Sequence, residues 1–188
     1  MNATPSEMTA IGQFSIQFTL FIAMWNQCEA TAKRILQLML GESRTAMALA
    51  VETQNRSLTN AILAGASDPK FDKIRTHLDH LVTGYDRLLG YRNYYAHSLL
   101  GIDPGGGLLL AVSGKGALKI DRSRVTMRQL ELVKLHAMNW VSYAAAIENE
   151  LGAKGDGLDA LMRAYQSSLQ RPKWPDAVKK SPVLLPER

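Results

Sequence analysis

The stretch FDKIRTHLDHLVTGYDRLLGYRNYYAHSL, residues 71–99, determines how the chain folds. Its apolar side chains recur at alternating steps of three and four, which places them on one face of a helix. The positions of this face are Phe71, Ile74, Leu78, Leu81, Tyr85, Leu88, Arg92, Tyr95 and Leu99. Arg92 is the exception, because a guanidinium stands where the pattern requires a hydrophobic side chain. An arginine keeps its charge, so at this position it needs a carboxylate, a bound anion or a water-filled cleft.

The same spacing predicts long helices before and after this stretch. The first runs from about residue 7 to 40 and ends at Gly41, since glycine commonly terminates helices. The second covers about residues 70–96 and contains most of the stretch quoted above. The third runs from Thr126, a good N-cap, to Leu151.

Shorter elements are predicted between and after the long helices. Ser43 caps a helix that reaches about Leu63, and another helix covers residues 158–169. The apolar face of the helix after Ser43 is weaker and comprises Met47, Val51, Leu58 and Ile62.

A glycine-rich segment interrupts the helices after residue 100. Two apolar runs, residues 108–112 and 117–120, flank the turn sequence SGKG and predict a β-hairpin. The fold class is therefore mainly α, an up-and-down bundle of four to five helices with a small hairpin before the last long helix. Residues 1–170 form this domain, and residues 171–188 are a proline-rich tail that we expect to be flexible.

Composition is that of a globular protein, with 46% hydrophobic residues, 21% charged residues and a formal net charge of +5. This charge permits a polyanionic partner without requiring one. The single cysteine, Cys28, excludes an internal disulfide and lies on an apolar face, so we interpret it as an inert core thiol. No secretory signal or membrane span is apparent. We therefore expect a cytoplasmic protein that does not contact a membrane.

The sequence indicates neither a metal nor a cofactor. The glycines at 105–107 lack the lysine and the Ser or Thr of a phosphate-binding loop. His77 and His80 lie three residues apart, but no further ligand has a recognisable spacing, so we interpret them as solvated helix-face residues.

Arg92 opens the run RNYYAH, residues 92–97, which combines a cation, an amide and a titratable base. On a regular helix Arg92 and His97 are about 140° apart and do not share a face. Asn93 and His97, at i and i+4, do share one. If the helix ends near His97, the imidazole can swing over the helix end, or the two groups can meet across a dimer. The spacing alone does not decide between these arrangements.

This run, close to the end of a long helix in a helical bundle, resembles the motif of the HEPN superfamily. That motif is an arginine, commonly followed by a polar residue such as asparagine, and then a histidine after four to six intervening residues. The resemblance maps these onto Arg92, Asn93 and His97 and implies that they are catalytic. Many HEPN proteins are metal-independent RNases of toxin–antitoxin, phage-defence and RNA-processing systems, and their site forms at a two-fold dimer interface. The resemblance thus implies a homodimer, an RNA substrate and an antitoxin or regulatory protein as a partner.

Some HEPN families also carry a Glu-x-x-x-Lys-Arg pattern, which the run EATAKR at residues 29–34 matches. By this resemblance Glu29 and Lys33 are supporting residues. Glu29 borders the apolar face of the first helix, where it can face Arg92 across the bundle. The alternative is an ordinary i,i+4 surface pair between Glu29 and Lys33.

These residue types suit RNA cleavage without a metal. Histidine exchanges protons near neutral pH and can take the proton of the 2′-OH, while the planar fork of arginine matches two phosphate oxygens. Tyr94 is available to stack on a base, whereas Tyr95 lies on the apolar face and is better interpreted as a core residue. We expect an endoribonuclease that leaves a 2′,3′-cyclic phosphate and a 5′-hydroxyl.

Two alternatives to this expectation stay open. One is a non-catalytic HEPN-like module, dimeric, with a binding or regulatory role. The other is a plain helical dimerisation domain in which Arg92 forms a structural ion pair.

Overall fold

The computed structural model describes residues 5–41, 43–102, 108–113, 120–152 and 171–176. In this part of the chain the protein is mainly helical, as the sequence predicts. The helices are α1 (Pro5–Leu40), α2 (Arg44–Glu52), α3 (Asn55–Ala66), α4 (Arg75–Ala96) and α5 (Met127–Gly152), with a 3-10 turn at Pro69–Phe71. The strands are β1 (Ser98–Ile102), β2 (Leu108–Ser113) and β3 (Ile120–Arg124). No helix in the described ranges combines the length and the hydropathy needed to cross a bilayer.

Helices α1 and α5 pack side by side and run parallel. Lys134 Nζ donates to Gln17 Oε1 at 2.6 Å near one end of the pair. Arg34 Nε lies 3.5 Å from Glu148 Oε1 near the other end. Residue numbers therefore rise together along both helices, as expected for the first and third long helices of an up-and-down bundle.

Helix α4 runs antiparallel to both of its neighbours. Against α1, the Tyr95 ring lies 6.1 Å from Phe21 and the Tyr85 ring 4.7 Å from Trp25. Against α5, the indole of Trp140 donates to the carbonyl of Leu81 at 2.8 Å. The largest fully buried side chains of the core include Trp25, Trp140, Tyr85, Phe21, Ile35, Leu78, Leu81 and Leu88.

The predicted helix boundaries are confirmed at two caps. Gly41 follows α1 with a φ of +78°, the left-handed conformation in which a glycine ends a helix. At α5, the Gln129 N–H donates to Thr126 Oγ1 at 3.2 Å and the Thr126 N–H donates to Gln129 Oε1 at 2.8 Å. This reciprocal pair is a capping box.

The single helix predicted over residues 43–63 is wrong. Thr53 and Gln54 are extended, and Asn55 has a φ of +51°, so the segment forms α2 and α3 instead. The predicted apolar face is also wrong in its first half, because Met47 and Val51 are exposed. Helix α2 turns its small residues, Ala46 and Ala50, toward the core.

The segment after α4 forms a three-stranded antiparallel sheet in the order β1-β2-β3. Leu100 pairs with Leu110 on β2, and Ala111 on β2 pairs with Arg122 on β3. Strand β2 coincides with the first predicted run. Of the second predicted run, 117–120, only its last residue is described, and that residue begins β3. The predicted helix at 158–169 lies outside the described residues.

Residues 171–176, which we call the strap, have no regular secondary structure and lie against α4 and α5. Arg171 Nη2 donates to Thr76 Oγ1 at 2.8 Å, and the Trp174 indole donates to the carbonyl of His80 at 2.8 Å. The described third of the predicted tail, residues 171–176, is therefore packed on the bundle. Residues 177–188 lie outside the described part.

Candidate functional site

The candidate site is built where α4 ends. Ala96 is the last helical residue, and His97 follows with a φ of −103° and a ψ of 10°. The His97 N–H donates to the Asn93 carbonyl at 3.1 Å. Strand β1 starts at Ser98. Because the backbone of His97 is no longer helical, the 100° turn per residue of a regular helix does not fix where its imidazole lies relative to Arg92.

Arg92 is half-buried, and its guanidinium is held by its neighbour in the chain. Arg92 Nη1 donates to Asn93 Oδ1 at 2.9 Å. Within the described residues, no carboxylate lies within 4.0 Å of the Arg92 guanidinium. Of the three environments that the sequence allows for this cation, the structure leaves a bound anion or a wet cleft.

Asn93 joins the other two residues of the motif. Its side chain accepts from Arg92, and its main-chain carbonyl accepts from His97. Arg92, Asn93 and His97 thus share one helix end, with Asn93 and His97 exposed. In the described part of this single chain, the imidazole and the guanidinium do not form a hydrogen bond with each other.

The tyrosines of the motif have different environments. Tyr95 is 6% exposed and packs its ring on Phe14 and Phe21 of α1, so its interpretation as a core residue is confirmed. This contact fixes the end of α4 to α1. Tyr94 is half-buried beside Tyr95, and burial raises the pKa of its hydroxyl. Tyr94 therefore remains partly accessible near the end of α4.

Glu29 and Lys33 form the i,i+4 pair that the sequence offered as the alternative. Lys33 Nζ lies 3.0 Å from Glu29 Oε1, and both side chains are partly buried. The Glu29 carboxylate is therefore paired with a lysine of its own helix. Burial raises the pKa of the Tyr85 hydroxyl, and the charge of Glu29 raises it further. Tyr85 itself is a core residue, as its place in the apolar face predicts.

The remaining titratable groups do not build a second catalytic centre in the described ranges. No group of three or more His, Cys, Asp or Glu side chains there is arranged to hold a metal ion. Cys28 is fully buried, and burial raises the pKa of its thiol to about 12, which confirms the interpretation as an inert core residue.

His77 and His80 are not solvated as predicted, because both are half-buried and bonded. His77 Nδ1 is 2.7 Å from the hydroxyl of Tyr143, and His80 Nε2 is 2.9 Å from the carbonyl of Pro172. Burial first, and then the charges of Arg171 and His80, lower the pKa of His77. His77 thus links α4 to α5, and His80 links α4 to the strap.

Comparisons with known proteins identify no relative. No family model matches the chain, and neither a curated protein nor a solved structure matches it. Function must therefore be inferred from the chemistry at the end of α4. That chemistry is a half-buried cation held by an amide, with an exposed imidazole on the next turn.

Proposed function

We propose that the protein is a metal-independent endoribonuclease of the HEPN type that acts as a homodimer. The observation that carries the proposal is the state of Arg92. Arg92 is a half-buried residue whose guanidinium donates to the exposed Asn93 side chain and is not paired with a carboxylate in the described residues. A cation left in this state favours an anionic ligand, and its fork matches the two free oxygens of a phosphodiester.

In this mechanism Arg92 binds the scissile phosphate and stabilises the charge that gathers on its oxygens. Asn93 holds the guanidinium in place through its side chain. The exposed imidazole of His97 takes the proton of the attacking 2′-OH, which closes a 2′,3′-cyclic phosphate and releases a 5′-hydroxyl. Tyr94 lies beside the reacting groups and offers a partly exposed ring on which a base stacks.

The position of the two groups is what supports the proposed homodimer. Arg92 and His97 of one chain share a helix end without touching, so a second copy is proposed to bring the imidazole and the guanidinium onto one phosphate. By the same resemblance, we propose a role as a toxin or phage-defence effector in the cytoplasm, with an antitoxin or regulatory protein as a further partner.

The test is cleavage of a labelled RNA by the purified protein in EDTA. Arg92→Ala and His97→Ala should each reduce cleavage by at least 100-fold, the usual contribution of a general base or a charge-stabilising group. Arg44→Ala, which removes an exposed arginine on α2, should retain full activity. Products should carry a 2′,3′-cyclic phosphate.

Two outcomes would contradict the nuclease mechanism. Cleavage that persists in both site variants would show that a different group, or a contaminating enzyme, does the chemistry. RNA that binds to the wild-type protein and to Arg44→Ala, but is never cut, would instead support the non-catalytic binding module.

A further inference from the structure

Residues of α4 and α5 form a slot that the indole of Trp174 fills. The Trp174 ring stacks on His80, with ring centroids 4.9 Å apart and an interplanar angle of 27°, and it meets the Tyr143 ring edge-on at 6.0 Å. Gly84 leaves the space for the indole, because a Cβ at this position would lie 2.8 Å from Trp174 Cδ2. We call the surface formed by His80, Gly84 and Tyr143 the indole slot.

Polar groups at the slot bind the strap at defined atoms. The His80 main-chain carbonyl accepts from the Trp174 indole at 2.8 Å, and His80 Nε2 donates to the Pro172 carbonyl at 2.9 Å. One turn earlier on α4, Thr76 Oγ1 accepts from Arg171 Nη2 at 2.8 Å. An apolar surface with a few well-placed polar groups is the usual composition of a specific binding site. These contacts recognise an arginine, a main-chain carbonyl and an indole at fixed spacing.

The strap lies at the surface and can leave the slot while the bundle stays folded. Each of its residues is exposed or half-buried, and Trp174 itself is half-buried. The core contact between α4 and α5, in which the Trp140 indole donates to the Leu81 carbonyl at 2.8 Å, does not involve the strap. A segment with little buried apolar surface opens at a free energy well below that of global unfolding. A competing segment can therefore replace the strap.

We propose that the indole slot is a recognition site for a peptide segment of a partner protein, in which a tryptophan has a proline on each side and follows an arginine by three residues. The strap occupies this site in cis, and a partner segment of the same chemistry displaces it. Pro172 and Pro175 are part of this chemistry, because prolines restrict the free segment and reduce the entropy lost on binding. The slot lies in the first half of α4, whereas Arg92 lies near its end, so this inference is independent of RNA cleavage.

The direct test is displacement of the strap from the wild-type protein by the synthetic peptide RPKWPD, which has the sequence of residues 171–176. In isotope-labelled protein, the indole N–H resonance of Trp174 reports the docked strap. Unlabelled peptide at a concentration on the order of 10 mM exceeds the millimolar effective concentration of a tethered segment. It should move this resonance toward the position of a solvated indole and leave that of the buried Trp25 unchanged. The same peptide with its tryptophan replaced by alanine should move neither.

Variants of the full chain test the slot itself. Trp174→Ala empties the slot and should bind the peptide at least tenfold more tightly than the wild type in calorimetry, since no cis segment competes. Adding His80→Ala removes the stacking ring and the donor to the proline carbonyl, so binding should be lost. Adding His97→Ala makes the same change after the last residue of α4 and should retain the affinity.

Three outcomes would overturn the proposal. Peptide binding that persists when His80→Ala is added would show that the peptide binds elsewhere. A peptide that does not bind to folded Trp174→Ala would show that the slot holds the strap only as a covalently attached segment. A Trp174 resonance that does not move in the wild type would show that the strap is a fixed part of the fold, and this last measurement decides even if Trp174→Ala does not fold.

Discussion

Arg92 shows how much a single residue reveals through a broken pattern. Helical spacing predicts its place on the apolar face and close to the end of α4, and its position near that helix end is confirmed. The same spacing cannot predict that its partner is Asn93, because adjacent residues point about 100° apart on a helix. The guanidinium contacts Asn93 because the arginine side chain is long and flexible. The sequence therefore predicts that a site residue is present, but not which residue its side chain bonds to.

Asn93 offers a test of that holding role. In Asn93→Ala the guanidinium loses its acceptor, while the main-chain carbonyl that accepts from His97 is retained. Because Asn93 is exposed, the free energy of unfolding should change by less than about 0.5 kcal/mol. The kcat for RNA cleavage should fall about tenfold, equal to about 1.4 kcal/mol of transition-state stabilisation. Single-turnover kinetics and urea unfolding measure the two quantities, and an unchanged rate would contradict the role of Asn93.

At the scale of elements, the strap is what the sequence could not predict. Prolines near the C-terminal end of the chain indicate an extended segment, but composition does not say which surface such a segment covers. The structure places Trp174 in a stack on His80, with ring centroids 4.9 Å apart. Its binding surface is made by side chains of α4 and α5 that are far apart in sequence. Single-sequence patterns do not report such contacts.

Gly84 of α4 makes room for the strap. A Cβ at this position would lie 2.5 Å from Trp174 Cε2 and 2.8 Å from Trp140 Cδ1. Gly84→Ala should therefore lower the free energy of unfolding by about 1–3 kcal/mol despite the better helix propensity of alanine.

Urea unfolding checks this prediction, with Gly12→Ala on α1 as the control, because a Cβ there meets nothing within 4 Å. In Trp174→Ala the clash with the Trp174 ring is absent. Adding Gly84→Ala to that variant should therefore lower the free energy of unfolding by less than it does in the wild type. An equal loss of unfolding free energy in both backgrounds would show that Trp174 of the strap does not pack against Gly84 in solution.

At the scale of the whole molecule, the long helices and their up-and-down order are predictable, but the residues that meet between two helices are not. Periodicity reports which side of each helix is buried and carries no information on which residues of a neighbouring helix lie opposite. The parallel arrangement of α1 and α5 has a visible consequence, because it brings exposed apolar residues to the same level. The hydrogen bond between Gln17 and Lys134 aligns them. We call this surface the α1–α5 face, formed by Ile16, Leu20, Leu135 and Met138.

In the proposed homodimer, we expect the α1–α5 face to contact the second copy of the chain. Between Glu7 and Glu29, α1 carries no charged residue, so two copies of a chain with a net charge of +5 can approach there without like-charge contacts across that helix. The face lies at the level where Tyr95 packs on α1, and hence at the same end of the bundle as Arg92. A second exposed apolar group, Met47, Leu49 and Val51 on α2, lies toward the opposite end.

These two surfaces allow the homodimer to be tested with matched variants. Leu135→Glu places a carboxylate in the α1–α5 face, where burial against an apolar partner is costly. This variant should be a folded monomer, which light scattering measures. It should also lose RNA cleavage, because the proposed site needs groups from both copies. Val51→Glu makes the same change on α2 and should remain dimeric and active.

A wild-type protein that is monomeric and active would contradict the composite site. Dissociation by Val51→Glu alone would place the interface on α2, away from Arg92. A site shared between two subunits could then not include Arg92 and His97.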